Sequence, residues 1–294
     1  MIKPRFFRKN EQTAINNFYQ ADQGKEDAAG LAENEFSAFA DQLRENGIKV
    51  LVWDDDRGLD TPDRIFPNNW ISFHPNQLVL YPMFAKNRRD ERDLRVIPHV
   101  DYLSEKSHEI IDFTSYETSH QFLEGTGSLV LDRMHGIAYA ALSPRTHEDL
   151  VVAWCKKFNY QPVMFHAYQD HQNQRVPIYH TNVMLSIGTT FTVVCDACID
   201  DPNEKDMLLN KLSLHKRKMI RITEEQVNAF CGNILEVKND TGKTFIVMSD
   251  TAYDGFTSDQ KAELSNFGSI LHAPIQTIEL LGGGSARCML AEIF

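Results

Sequence analysis

The stretch Gly282-Gly283-Gly284-Ser285-Ala286-Arg287-Cys288-Met289-Leu290-Ala291-Glu292-Ile293-Phe294 decides how the rest of the chain is read. Three glycines remove the Cβ atoms from the backbone just ahead of one cysteine, so that a ligand can come close to the main chain, and the apolar residues that follow anchor the segment. That arrangement suits a presented thiol. The competing reading is a flexible tail ending in a buried structural cysteine, since free cysteine is among the most buried residue types. A disordered tail would not finish Met-Leu-Ala-Glu-Ile-Phe, however, and a structural cysteine has no need of a Gly-Gly-Gly-Ser approach. A nucleophilic Cys288 requires a base or a cation beside it, and the other residues must supply it.

A length of 294 residues allows one large domain or two ordinary ones. With 42% apolar and 24% charged residues and no apolar run near the length of a membrane span, the composition is that of a soluble globular protein. The opening Met-Ile-Lys-Pro-Arg-Phe-Phe-Arg-Lys-Asn has basic residues without an apolar core, so it does not read as a secretion signal. Five cysteines without an export signal predict reduced thiols and a cytoplasmic location. A formal charge of −11 opposes binding to nucleic acid or anionic membranes and leaves small molecules as the expected partners.

Taken in order, residues 11 to about 46 read as helical material interrupted near Gly24 and Gly30, and Ile48-Lys49-Val50-Leu51-Val52-Trp53 as a short strand ended by a solvated Asp54-Asp55-Asp56 turn. Pro62 and Pro67 bracket a loop that delivers Asn68-Asn69 to the head of an apolar strand, the usual way a rigid sheet presents polar groups at its rim. The charge run Lys86 to Arg92 reads as a solvated helix start. Phe122-Leu123-Glu124-Gly125-Thr126-Gly127-Ser128 sets one carboxylate before a Gly-x-Gly turn and a strand, and its glycines lack the spacing of a nucleotide-binding loop. Ser143 or Thr146 is placed to cap a helix over about 147 to 158. His180 stands at the head of another apolar strand, with Thr181 and Asn182 behind it. Cys195 and Cys198 lack a second ligand pair, so no structural metal is expected. Short strands alternate with helices, and Gly/Pro/Asn punctuation recurs at intervals of roughly 50 to 60 residues with no linker. Polar candidates therefore fall in separate strand-edge loops, as they would if similar units were arranged around one central pocket of a single domain spanning 1–294.

These residues resemble the guanidine-modifying enzymes of the pentein fold, which include arginine deiminase, dimethylarginine dimethylaminohydrolase, the amidinotransferases and succinylarginine dihydrolase. The resemblance is nearest to the amidinotransferase-like citrulline-utilisation hydrolases of bacteria and covers about 45 to 294. It rests on Pro62-Asp63-x-x-Phe66, Leu123-Glu124-Gly125, Ser143-x-Arg145-Thr146, His180-Thr181-Asn182 and the glycine-rich approach to Cys288, in that order. It implies an α/β fold, a five-bladed propeller of pseudo-symmetric ββαβ units around a channel. It also implies that Cys288 is the nucleophile, His180 the general acid/base and Glu124 the carboxylate that orients the histidine or a substrate nitrogen. Phe66, Asn68 and Asn69 would then line the substrate pocket, and Arg88 or Arg89, with Arg145, would hold a substrate carboxylate bidentately. No metal or organic cofactor is implied, and a homo-oligomer is left open.

The chemistry explains these parts. A guanidinium or ureido carbon is resonance-stabilised and a poor electrophile, so attack calls for a thiolate, and the leaving amine must be protonated by a positioned acid. Relatives with two acidic residues after Pro-Asp-x-x-Phe-x match a cationic guanidinium. Asn68 and Asn69 each offer a donor and an acceptor, which suits a neutral ureido group, so citrulline converted to ornithine is the leading expectation. An arginine or methylarginine hydrolase or deiminase, an amidinotransferase, and a non-catalytic pentein used as a binding module are the alternatives.

Overall fold

The computed structural model describes residues 1–20 and 27–294. Among them, two antiparallel strands, a helical crossover and a third strand parallel to the second recur four times. The first unit consists of Ile71–His74 (β1), Gln77–Leu80 (β2) and Glu109–Asp112 (β3). Val130–Asp132 (β4), Ile137–Ala141 (β5) and Gln161–Phe165 (β6) form the second. An antiparallel hairpin of Tyr168–His171 (β7) and Gln174–Pro177 (β8) follows. The third unit is Leu185–Ile187 (β9), Phe191–Val194 (β10) and Lys218–Arg221 (β11). The fourth is Leu235–Lys238 (β12), Thr244–Ser249 (β13) and Ser269–Ala273 (β14).

A parallel third strand has to start from the same end as the second, so each unit needs a crossover of a dozen residues or more. Helices Ile97–Ser104, Glu148–Phe158, Pro202–Ser213 and the pair Asp250–Gly255 and Ser258–Ser265 provide it. Their starts are written locally: Asp201 accepts from the Asn203 and Glu204 amides ahead of Pro202, and Thr257 forms a capping box with Gln260. The central strands β5 and β10 are buried along their whole length, which is why they read as continuous apolar runs without alternation.

Several expectations change. Residues 48–53 form no sheet strand; they run extended and meet the chain start through a single parallel bridge, Ile2 to Trp53. The helix Ala28–Glu45 runs through Gly30, whose amide is capped by Asp27, so Gly30 does not interrupt it, and the expected break at Gly24 lies outside the described residues. Asp55 of the acidic triplet is buried and shared among Arg57, Arg64 and Arg95, so the solvated-turn reading fails for it, while Asp56 is exposed and Asp54 partly so. Ser143 and Thr146 do not cap the helix after them. Their hydroxyls bond the Tyr179 carbonyl and Ser128. No helix among the described residues is long and apolar enough to cross a membrane.

Candidate active site

Each unit delivers polar groups at one place, the turn just ahead of its first strand. Pro67–Asn69 precedes β1, Glu124 and the Gly125–Ser128 turn precede β4, His180 and the Thr181–Val183 turn precede β9, and Asn233 precedes β12. Cys288 sits in an equivalent turn, Ala286–Met289, ahead of the final extended residues. The turns are tied to one another: the Glu124 amide donates to the Arg145 carbonyl, and the Thr181 hydroxyl bridges the Ser128 carbonyl and the Ala141 amide.

This brings Cys288, His180, Asn69, Phe66, Arg88 and Arg145 onto one cavity of about 10 Å3, together with Asn17, Asp63, Tyr179 and Gly282 to Gly284. Glu124 lies directly behind His180. Its Oε2 accepts from His180 Nε2 at 2.8 Å, and its Oε1 accepts the Phe84 amide at 3.0 Å. A carboxylate only accepts, so Nε2 carries the proton and Nδ1 is left as the ring's free lone pair. Nδ1 lies over Gly127, where an added Cβ would stand 2.8 Å away; the glycine is needed for that close approach. Burial pushes His180 down to about 4, against the opposing pull of Glu124, so the imidazole rests neutral. Burial alone would raise Glu124, but the Arg145 charge, the His180 hydrogen bond and Arg88 overcome it and hold the carboxyl well below its usual range.

Cys288 is buried with its sulfur between two amides, Asn233 Nδ2 at 3.3 Å and Asn182 Nδ2 at 3.6 Å. The preceding glycines are packed, not open. Gly282 and Gly284 lie against the Phe66 ring, and Gly283, at φ +64°, accepts the Tyr179 hydroxyl at 2.7 Å. The glycines are required by close approach as expected, and in the structure the approaching groups are Phe66 and Asn17.

The arginines separate. Arg88 is fully buried, gripping Glu91 through Nε and Nη2 at 2.9 Å each and donating to Asn69 Oδ1 at 2.8 Å, which corrects the solvated-helix reading of its charge run. Arg89 turns away to the Met83 carbonyl and Glu117 and does not line the cavity. Arg145 is held by the Thr13 carbonyl and Asn16, lies 3.5 Å from Glu124 and packs over the Tyr179 ring at 4.8 Å. Asn68 is buried beneath the cavity with both side-chain polar atoms unpartnered, and it does not line the pocket.

Residues 10–20 contribute most of what the sequence reading missed. Only Glu11–Ala14 is helical, and Asn17 is the residue of this segment that lines the cavity. Asn10 and Thr13 donate to Asp63 Oδ2 at 2.8 and 3.0 Å, Asn16 accepts from Arg145, and Asn17 Nδ2 donates to the Gly282 carbonyl at 3.2 Å. Asp63 Oδ1 stays buried without a partner. The polar Asn16-Asn17 pair inside an otherwise helical stretch is the one signal that could have marked this cover. For Asn233 the signal was its place, two residues before an apolar strand, as with Asn69. The one cluster with metal-ligand spacing among the described residues, Asp132 with His135 and His215, lies elsewhere, and both Asp132 oxygens are held by Arg217 at 2.6 and 2.8 Å.

Comparison with known proteins agrees with this geometry. The family model described as N,N dimethylarginine dimethylhydrolase, eukaryotic, matches residues 3–294. No curated protein matches the sequence. Among solved structures, ArgZ, an arginine dihydrolase from the ornithine-ammonia cycle in cyanobacteria, is similar at 17% identity and a TM-score of 0.73, covering 100% of this chain and 40% of that one. AgrE in complex with ornithine and NAD+ is similar at 17% identity and TM-score 0.75, covering 100% of this chain and 38% of that one. A dimethylarginine dimethylaminohydrolase adduct with S-methyl-L-thiocitrulline is similar at 12% identity and TM-score 0.62, covering 98% of this chain and 96% of that one. The chain thus spans about two fifths of the length of the full ArgZ and AgrE chains. A family match over nearly the whole chain, on the fold that these structures share, places the protein in the N,N dimethylarginine dimethylhydrolase family of guanidine-modifying penteins, hydrolases of guanidino C–N bonds.

Proposed function

We propose that this chain is a thiol hydrolase that cleaves terminal C–N bonds of the guanidino group of an arginine-type amino acid, with Cys288 as nucleophile, His180 as acid/base and Glu124 as the group that fixes the imidazole. The observation that carries the reading is the convergence of Cys288 and His180 on one cavity, with His180 braced by a buried carboxylate. His180 Nδ1, neutral at rest, takes the Sγ proton as sulfur bonds to the guanidino carbon, then passes it to the departing nitrogen as the C–N bond breaks. Water that gives a proton to the same nitrogen hydrolyses the S–C bond.

The substrate reading rests on two free groups. Arg88 occupies Asn69 Oδ1 and so leaves Nδ2–H unpartnered, a donor that a ureido oxygen can accept and a guanidinium cannot. Asp63 Oδ1 is an unused acceptor, which suits a cationic guanidinium or ammonium. A site with both fits a substrate that enters as a guanidino group and continues as a ureido group, so that arginine and two waters give ornithine, two ammonia and carbon dioxide. ArgZ, similar in fold, is an arginine dihydrolase, and its N-terminal domain has been solved covalently bonded to a reaction intermediate. Citrulline is then a substrate in its own right, as the free Asn69 amide suggests. Arg145 is our choice for the substrate carboxylate. A cavity of about 10 Å3 holds about one water, so residues 10–20 would have to lift for an amino acid to bind.

We also read the chain as one catalytic domain with a fifth, permuted unit: residues 290–293 as first strand, the chain start as second, helix Ala28–Glu45 as crossover and 48–53 as third. The parallel Ile2–Trp53 bridge matches the parallel second and third strands of the other four units. Product analysis tests the function. Arginine, citrulline and methylated arginines are incubated with the enzyme, and ornithine, citrulline and ammonia are quantified. Citrulline accumulating as the end product from arginine would make the protein a deiminase, and turnover that requires an acceptor amine would make it an amidinotransferase.

A further inference from the structure

A second cavity, of about 150 Å3, shares no lining residue with the Cys288 pocket. The Cys288 pocket draws on the turns that precede β1 and β9, whereas this one is lined by Thr126 of the turn ahead of β4, by Val130 to Met134, Ile187 to Thr189 and Leu235 to Glu236 within and beyond the first strands, and by Arg287. Its charges are unevenly used. Arg217 is neutralised by Asp132, and Glu236 accepts from the Thr189 amide and hydroxyl. Arg287 is different. It is only 6% exposed, its side chain makes no hydrogen bond or ion pair among the described residues, and its Nη1 is buried with no partner. A guanidinium carries five donors, and leaving them dry is costly. Arg133 lines the same space with its guanidinium 4.2 Å from the Phe294 ring and its Nη1 3.2 Å from His74 Nδ1, and the half-buried Glu292, without a hydrogen bond among the described residues, acts on Arg287 through its charge. Three arginines and three carboxylates line the cavity, so its formal charges balance, and Arg287 is the one lining arginine whose guanidinium has no hydrogen-bond partner among the described residues.

We propose that this cavity is a binding site for a small oxyanion of the phosphate, bicarbonate or carboxylate class, with Arg287 as its main ligand, Arg133 as a second and Glu292 as the internal competitor that the anion displaces. The site does not depend on the proposed reaction. It does border the nucleophile: Arg287 is the residue before Cys288 in the same turn, so an anion there cancels a positive charge next to the sulfur.

The test is phosphate binding to the full chain, followed by calorimetry and by melting temperature against chloride at equal ionic strength, with acetate and bicarbonate as parallel arms to distinguish tetrahedral from planar anions. Saturable binding is expected for at least one of the three, lost in Arg287→Met, weakened in Arg133→Gln and several-fold tighter in Glu292→Gln. The same anion should slow iodoacetamide labelling of Cys288 in the parent and not in Arg287→Met. Absence of saturable binding of all three anions, or equal binding by parent and Arg287→Met, would overturn the proposal. Should Arg287→Met fail to fold, the opposite shifts in Arg133→Gln and Glu292→Gln decide it, and equal affinity in both would overturn it.

Discussion

The turns ahead of the sheets and the segment 10–20 face the same cavity but are held by different physics. The turns are fixed by the register of the strands they introduce and by hydrogen bonds to one another, so Glu124, His180 and Cys288 cannot move without disturbing several units. The cover is held by a few side-chain hydrogen bonds, of Asn10 and Thr13 to Asp63, of Arg145 to Asn16 and of Asn17 to the Gly282 carbonyl, with no strand register behind them. Chemistry therefore sits on the rigid part and access on the weakly held part, the division expected where a site must be both preorganised and opened. Substitutions in the two regions should differ in kind: turn variants lose chemistry, and cover variants change access.

The largest expected effect is at the sulfur. Cys288→Ala should show no measurable turnover of arginine or citrulline while its circular dichroism and melting temperature match the parent, and retention of more than a few per cent of activity would contradict the assigned nucleophile. Next comes the brace. Glu124→Gln should lower kcat by about 10²-fold with a smaller change in KM, because the neutral amide no longer favours the proton on His180 Nε2. An unchanged kcat would make Glu124 merely structural.

A third effect is in stability. His180 has its pKa pulled down from its ordinary value to about 4, so protons bind the unfolded chain more readily than the native one below about pH 6.5. This contribution is full above that pH and is lost progressively as pH falls toward 4, and Glu124, also held low, adds a further loss below its ordinary range. Urea midpoints should therefore fall between pH 7 and pH 4, and His180→Asn should flatten part of that fall; a parallel fall in the variant would assign the acid sensitivity to other groups. The smallest effect belongs to the cover. Asn17→Ala should cost about 1 kcal/mol or less in stability and act mainly on KM, read from parallel unfolding and steady-state curves. A loss of kcat as deep as that of Glu124→Gln would erase the distinction between the two regions.

The sequence carried the rigid part better than the cover. The strands around Ile71, Ile137, Phe191 and Thr244 were legible because short, largely apolar runs bounded by turn residues have few other readings, and the polar residues at their heads followed from that. Arg88 was not legible. A Lys-Asn-Arg-Arg-Asp-Glu-Arg run looks the same whether it is solvated or, as here, folded inward onto Glu91 and Asn69, because the decision lies with partners far along the chain. The glycines before Cys288 were read for the right reason, a missing Cβ, with the wrong neighbour: the group pressing on them is the Phe66 ring. Residues 48–53 looked like a strand by composition, but a strand exists only with a partner, and theirs is a single bridge to the chain start.

The central claim is a covalent bond between Cys288 Sγ and the substrate's terminal carbon. Rapid acid quench of the enzyme mixed with arginine, followed by intact-mass and peptide-mass analysis, measures it directly. The account predicts a transient adduct of arginine less one ammonia on the peptide containing Cys288, absent from Cys288→Ala and longer-lived in His180→Asn. Steady release of ornithine or citrulline with no adduct on that peptide, or with an adduct on another residue, would contradict it.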